Sequence, residues 1–131
     1  MRRRGLGSTY STEESKEDLV SLLRECKKFR VIVEGRKDRD ALKEFGFKKI
    51  TVLNEFHGFY DMVTNINDND VLVLTDFDPE GNDLANKITN MLQRFGKKVE
   101  VGYRRRLMVL FIENKINTIE GLVRLFNHNV I

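Results

Sequence analysis

Glu34, Asp76, Asp78 and Glu80 are the residues of this chain whose types and spacing could do chemistry. Each stands where an apolar run ends: residues 29–33 lead into Glu34-Gly35, and residues 71–74 lead into Thr75-Asp76-Phe77-Asp78-Pro79-Glu80-Gly81. Carboxylates packed this closely resist joint ionisation unless a counter-charge is near. A hard divalent cation would supply it. Magnesium takes oxygen ligands at roughly 2.0 to 2.1 Å and keeps several waters, so one or two carboxylates at a strand end suffice to hold it for phosphate chemistry. Metal ions polarise a phosphoryl oxygen, activate a water and stabilise the leaving oxygen, and Glu34, if desolvated beside the metal, could move the proton. The structural alternative makes Asp78 a helix N-cap and Glu80 a favourable first-turn acid.

The flanking residues say what must position these acids. Residues 71–74 form an unbroken β-branched and leucine-rich run, as in a strand buried on both faces of a mainly parallel sheet. Pro79 cannot continue a ladder and suits the first turn of a helix. Leu84, Ala85, Ile88, Met91, Leu92 and Phe95 then mark one helical face, and Gly96 stops it. Upstream, a helix over 12–27 is capped by Ser11 with Glu14 or by Ser15 with Asp18, and a strand over 29–33 follows. Asp38 is expected to cap the next helix, with Ala41, Leu42 and Phe45 inward and Gly46 as its stop. A strand over 50–53, a loop containing Asn54, and a short helix over 59–66 come next. Lys98 to Tyr103 reads as a further strand, residues 107–112 as a strand or a buried helical turn, and residues 117–126 as a closing helix. This alternation predicts parallel βαβ units joined by right-handed crossovers: one Rossmann-like α/β domain, its mainly parallel sheet of about four strands flanked by helices. In such sheets ligands bind beyond the carboxyl ends of the strands, so Glu34, Asn54, Asp76 and Asp78 share one rim.

Val31-Ile32-Val33-Glu34-Gly35, followed by Asp38 and Ala41-Leu42, and Thr75 to Gly81 some forty residues later, resemble the two signature motifs of the Toprim domain. That domain is shared by type IA topoisomerases, bacterial-type primases, 5S ribosomal RNA maturases, OLD-family nucleases and recombination mediators. The resemblance covers roughly residues 29–103. It implies a Toprim core there, preceded by a tail and helix over 1–28 and followed by an extension over 104–131 packing on the core. It also implies that Glu34 is a general acid or base, and that Asp76 and Asp78 hold magnesium, with manganese able to replace it. Glu34 and Glu80 would complete the ligand set, Glu80 matching a third acid of topoisomerases. Gly35 and Gly81 match motif glycines where a side chain would crowd the phosphate or the sheet, and Asp38 matches a supporting acid of maturase-like members. Arg36, Lys37 and Arg39, with Gly35, Asn54 and Gly81, would meet backbone phosphates. The implied function is magnesium-dependent phosphodiester chemistry by a small nuclease or RNA- or DNA-processing factor. The alternative is a non-catalytic module that binds metal and nucleic acid, or protein partners, in a repair, replication or RNA-processing complex. A homodimer is compatible with either. Neither Tyr10, Tyr60 nor Tyr103 has the separate-domain context of a topoisomerase nucleophile, and primase zinc elements are absent.

Composition bounds these readings. The 131 residues suit one domain, and the net charge of +3 is compatible with polyanions. Basic clusters at 2–4, 27–30, 97–98 and 104–106 read as solvated faces, whereas the one beginning at Arg36 adjoins a candidate acid. With Cys26 alone, and His57 and His128 the only histidines, neither a disulfide framework nor a zinc site is expected. No apolar run approaches membrane-spanning length, so a cytoplasmic protein with no membrane partner is expected. A haloacid dehalogenase phosphatase would want Thr or Val where Glu80 stands and more chain after it. A receiver domain would want adjacent acids in place of Glu34-Gly35, and a dinucleotide fold a glycine-rich turn there.

Overall fold

The computed structural model describes residues 12–127. The arginines at 2–4, the tail over 1–10, the proposed Ser11 cap and His128 lie outside the described residues. Among the described residues, six helices and four strands alternate as far as α5, which α6 follows directly: α1 (Glu13–Cys26), β1 (Arg30–Val33), α2 (Arg36–Glu44), β2 (Ile50–Val52), α3 (Phe59–Thr64), β3 (Asp70–Val73), α4 (Pro79–Arg94), β4 (Lys98–Val99), α5 (Val101–Glu113) and α6 (Gly121–Asn127). A single 3-10 turn, Leu53–Glu55, follows β2. All strand pairs are parallel, in the order β2-β1-β3-β4. The α/β class, the four-stranded parallel sheet and its helical flanks are as expected.

Alternation along the strands divides the core into two layers. Val31, Val33, Leu72 and Leu74 pack with Leu19, Leu22 and Leu23 of α1, Leu42 of α2, Leu107 and Phe111 of α5 and Leu122 of α6. Ile32, Val71 and Val73 face the other way, onto Met62 and Val63 of α3 and Ala85, Ile88 and Leu92 of α4. Strands covered on both faces need no polar alternation, hence their continuous apolar runs.

Several boundaries differ from the sequence reading. The cap of α1 is Thr12, whose hydroxyl accepts from Ser15 N at 3.0 Å, while Ser15 itself is buried and donates to Glu113. Gly35, not Asp38, occupies the N-cap of α2; Asp38 stands in the first turn and accepts from Gly35 N at 3.4 Å. The strand expected over 98–103 is a two-residue edge strand, paired only through Lys98 and Val99. Glu100 N donates to Val71 O at 2.8 Å, and the chain then turns into α5. Residues 107–112 are therefore helical, and the closing helix begins at Gly121 rather than 117.

Candidate metal and phosphate site

Chain order reverses between β1 and β3: β2 lies outside β1, whereas β4 lies beyond β3. The segments leaving these two central strands must diverge, which opens a crevice at their carboxyl ends. Glu34-Gly35 leaves β1 for α2, and residues 74–78 leave β3 for α4. Two adjoining clefts result, and both are lined by Glu34 and Asp76. One, of about 550 Å³, adds Gly35, Arg36, Lys37, Asp38, Asn54 and Glu120. The other, of about 430 Å³, adds Asp78, Glu80, Gly81, Asp83 and Lys87. Thus Glu34, Asp76, Asp78 and Glu80, drawn from two distant segments, share one rim.

The carboxylates sit in different environments. Glu34 and Glu80 are exposed. Asp76 is half-buried and accepts from Ile119 N at 2.8 Å. Its pKa is raised, chiefly by burial, with the Ile119 hydrogen bond opposing and the Asp78 and Glu120 carboxylates adding to the rise. Asp78 is the N-cap of α4 and accepts from Gly81 N at 2.7 Å, so the structural role considered for it is present. One oxygen of a carboxylate suffices for that bond. Asp38 is pushed up to about 6, first by burial and then by the Asp76 carboxylate.

Behind the acids lies a buried scaffold that local sequence did not disclose. Arg104, from the first turn of α5, donates to the carbonyls of Val73, Thr75 and Asp76 at 3.0 to 3.1 Å and to Asn82 Oδ1 at 2.9 Å. Its guanidinium also lies 4.5 Å from the Phe77 ring centroid. Burial lowers its pKa to about 10, against the attraction of Asp76. Arg104 is therefore not part of a solvated basic face. Thr75, fully buried, donates to Gly81 O at 2.6 Å. A Cβ on Gly81 would overlap the Asp76 carbonyl, so this glycine permits close approach of α4 to the acidic turn. Phe77 packs edge-on against Phe111 at 4.6 Å, which makes it a core residue. Glu120 and Ile119, from the α5–α6 connection, complete the surroundings of Asp76; nothing in their local sequence marks them.

The basic residues after Glu34 divide. Arg36 and Lys37 line the larger cleft, although Arg36 reaches Glu55 at 3.2 Å. Arg39 is engaged by Glu55 and Asp40, each at 3.2 Å. Asn54 is held at the rim by donation of its N–H to Glu34 O at 3.0 Å. A Cβ on Gly35 would meet only Asn54 Nδ2, at an ordinary 3.8 Å. The polypeptide therefore does not need glycine there, and the space over it belongs to the cleft.

Among the described residues, no group of three or more His, Cys, Asp or Glu side chains stands in a metal-holding arrangement. The carboxylates at the rim nonetheless offer hard oxygens, and Asp76 and Asp78 accept backbone N–H groups from Ile119 and Gly81 through one oxygen each. Such a set fits a magnesium ion held by one or two carboxylates and otherwise hydrated, not a closed protein cage.

No protein-family model matches the chain. It is similar to UPF0292 proteins of archaea. With that of Thermococcus sibiricus it shares 34% identity over 84% of this chain and 86% of the relative. For Pyrococcus furiosus the identity is 32%, over 78% and 76%; for Methanosarcina barkeri it is 32%, over 70% and 65%. Among solved structures, a protein from Aquifex aeolicus superposes with a TM-score of 0.66 at 23% identity, covering 80% of this chain and 95% of that one. That likeness concerns the fold. Among the described residues, no helix is long and apolar enough to cross a membrane.

Proposed function

The chain belongs to the UPF0292 family, and from its site we propose that it carries out magnesium-dependent phosphodiester chemistry on nucleic acid, as a small Toprim-type nuclease or processing factor. The observation that supports this reading is the convergence of Glu34, Asp76 and Asp78 on the crevice where strand order reverses. In it, Asp76 and Asp78 would hold the ion, with Glu80 at its edge. When bound, magnesium, or manganese in its place, supplies charge stabilisation of a phosphoryl oxygen and of the departing oxygen. Glu34 holds or moves the proton of the attacking water or hydroxyl through its carboxylate, since it is the acid at the rim that comes from the other strand. Asp38 supports the first turn of α2 beside it. Lys37 and Arg36 face the phosphate backbone without reading bases, and the open space over Gly35 lets a phosphate approach the main chain.

The test is incubation of the protein with end-labelled single- and double-stranded RNA and DNA in magnesium and in manganese, beside Glu34→Gln and Asp78→Asn. Cleavage by the wild type and its loss in both variants is the expected result. Cleavage that persists in both contradicts the assignment. A wild type that binds metal and cuts nothing would make the protein a binding module, to be pursued through its partners.

A further inference from the structure

The smaller of the two clefts is not acidic throughout. Besides its carboxylates it is lined by Phe59, Leu84 and Lys87. Phe59 and Leu84 are only partly buried against the layer formed by α3 and α4, so part of each side chain faces the cleft. A hydrated ion and a phosphate have no use for an apolar wall. A ligand that fills this cleft therefore carries an apolar part as well as charge. At about 430 Å³ the cleft lies within the size range of small-molecule sites.

The aromatic surface continues past Phe59. That residue opens α3, and Tyr60 follows it. Tyr60 is 65% exposed, and its ring meets that of Phe95, 43% exposed, edge-on at 5.6 Å. They are the two aromatic residues among the large hydrophobics exposed in the described residues, and neither belongs to a layer of the core. Cations accompany the rings. Lys87 lines the cleft, and Arg94, seven residues on, lies on the same side of α4, about 10 Å along its axis. Lys87 meets Asp83 at 3.1 Å in an exposed pair, weak enough to exchange for a phosphate. Open rings beside cations, leading from a site for phosphate chemistry, are what holds a single strand: bases stack on the ring faces and the charges follow the backbone. A duplex keeps its base faces inside its own stack, so it has little to offer such a surface.

We propose that Phe59, Tyr60 and Phe95 form a stacking track that leads unpaired nucleotides into the carboxylate cleft. The nucleotide beside the aspartates lays its base on Phe59, the next lays its base on Tyr60, which Phe95 backs, and Lys87 and Arg94 take up the phosphates. The substrate class is therefore a single strand or an unpaired end. This inference rests on the proposed chemistry, since it takes the carboxylate rim as the end of the track.

Binding, not cutting, is the readout, measured in calcium, which takes oxygen ligands as magnesium does. Fluorescence anisotropy follows labelled strands of about twelve nucleotides: single-stranded DNA, single-stranded RNA, a DNA duplex, and an abasic DNA strand that keeps every phosphate and lacks every base. The wild type is expected to hold the single strands about 30-fold more tightly than the abasic strand, about fivefold for each ring, and more tightly than the duplex. Tyr60→Ala and Phe59→Leu should each remove about fivefold of that preference, and together should abolish it, with affinity for the abasic strand unchanged. Tyr60→Trp should retain it. Tyr60 lies outside the core, so Tyr60→Ala keeps its circular dichroism spectrum and unfolding midpoint. Equal binding of base-bearing and abasic strands by the wild type overturns the track while leaving the phosphate chemistry standing. So does a preference for the duplex, or a preference for bases that survives both changes together, which would assign the exposed rings to a protein partner. A wild type that holds none of these probes contradicts the proposed chemistry and the track with it.

Discussion

The acidic turn after β3 is held in place without its carboxylates being consumed. Arg104 does this from behind, through three backbone carbonyls and Asn82. Replacing it with Met leaves those acceptors unsatisfied in a largely buried place, so Arg104→Met should lose about 3 kcal/mol of stability. Arg104→Lys should recover only part of it, because an ammonium lacks the planar fork. Urea unfolding measures both, and an unchanged midpoint for Arg104→Met would remove Arg104 from its assigned role. The Asp38 carboxyl offers a second test. Its folded pKa of about 6 lies above its ordinary 3.8. Between those values the folded state binds more protons than the unfolded one, so stability falls as pH rises through the window. Asp38→Asn should flatten that fall in the metal-free protein, and a slope identical to wild type would contradict the burial and the Asp76 repulsion assigned to it. Glu34, Asp76, Asp78 and Glu80 were legible in the sequence because each sits next to the strand that positions it. Arg104, Ile119 and Glu120 were not, since they reach the turn from the far end of the chain, and Arg104 was masked by the two exposed arginines beside it.

At the element scale, the amino end of α4 carries two functions on one residue. Asp78 caps the helix with Pro79 in the first turn, and the proposed chemistry asks it to meet an ion as well. Asparagine caps as well as aspartate but lacks the charge. Asp78→Asn should therefore keep the melting temperature of the metal-free protein, whereas Asp78→Ala should lose about 1 kcal/mol. Equal losses in both would mean that the carboxylate charge, not the cap, holds the turn. Helical faces were readable from their periodicity, and the two central strands from their unbroken apolar runs. The region after Lys98 was not. Val99 and Val101 alternate as strand residues do, but β4 is an edge with one neighbour, and the ladder ends where Glu100 donates to Val71. Residues 107–112 defeated periodicity for another reason, because both faces of α5 are apolar.

At the scale of the whole molecule, the sheet order places two sequence-distant acidic segments side by side, and no local pattern could have supplied that adjacency. The chain is mildly basic overall, yet its rim concentrates acids from Glu34 through Glu120. A polyanion would be repelled from that rim unless a cation were bound there first. The proposed chemistry therefore requires that Asp76 and Asp78 hold a divalent ion. The most direct measurement is the thermal unfolding of the wild type and of Asp76→Asn with Asp78→Asn, each in chelator and in magnesium. At ten times the dissociation constant a single site adds about 1.4 kcal/mol, which raises the melting temperature of a domain this size by about 5 °C. That rise is expected in the wild type and not in the double variant; an equal rise in both would take the metal away from these aspartates.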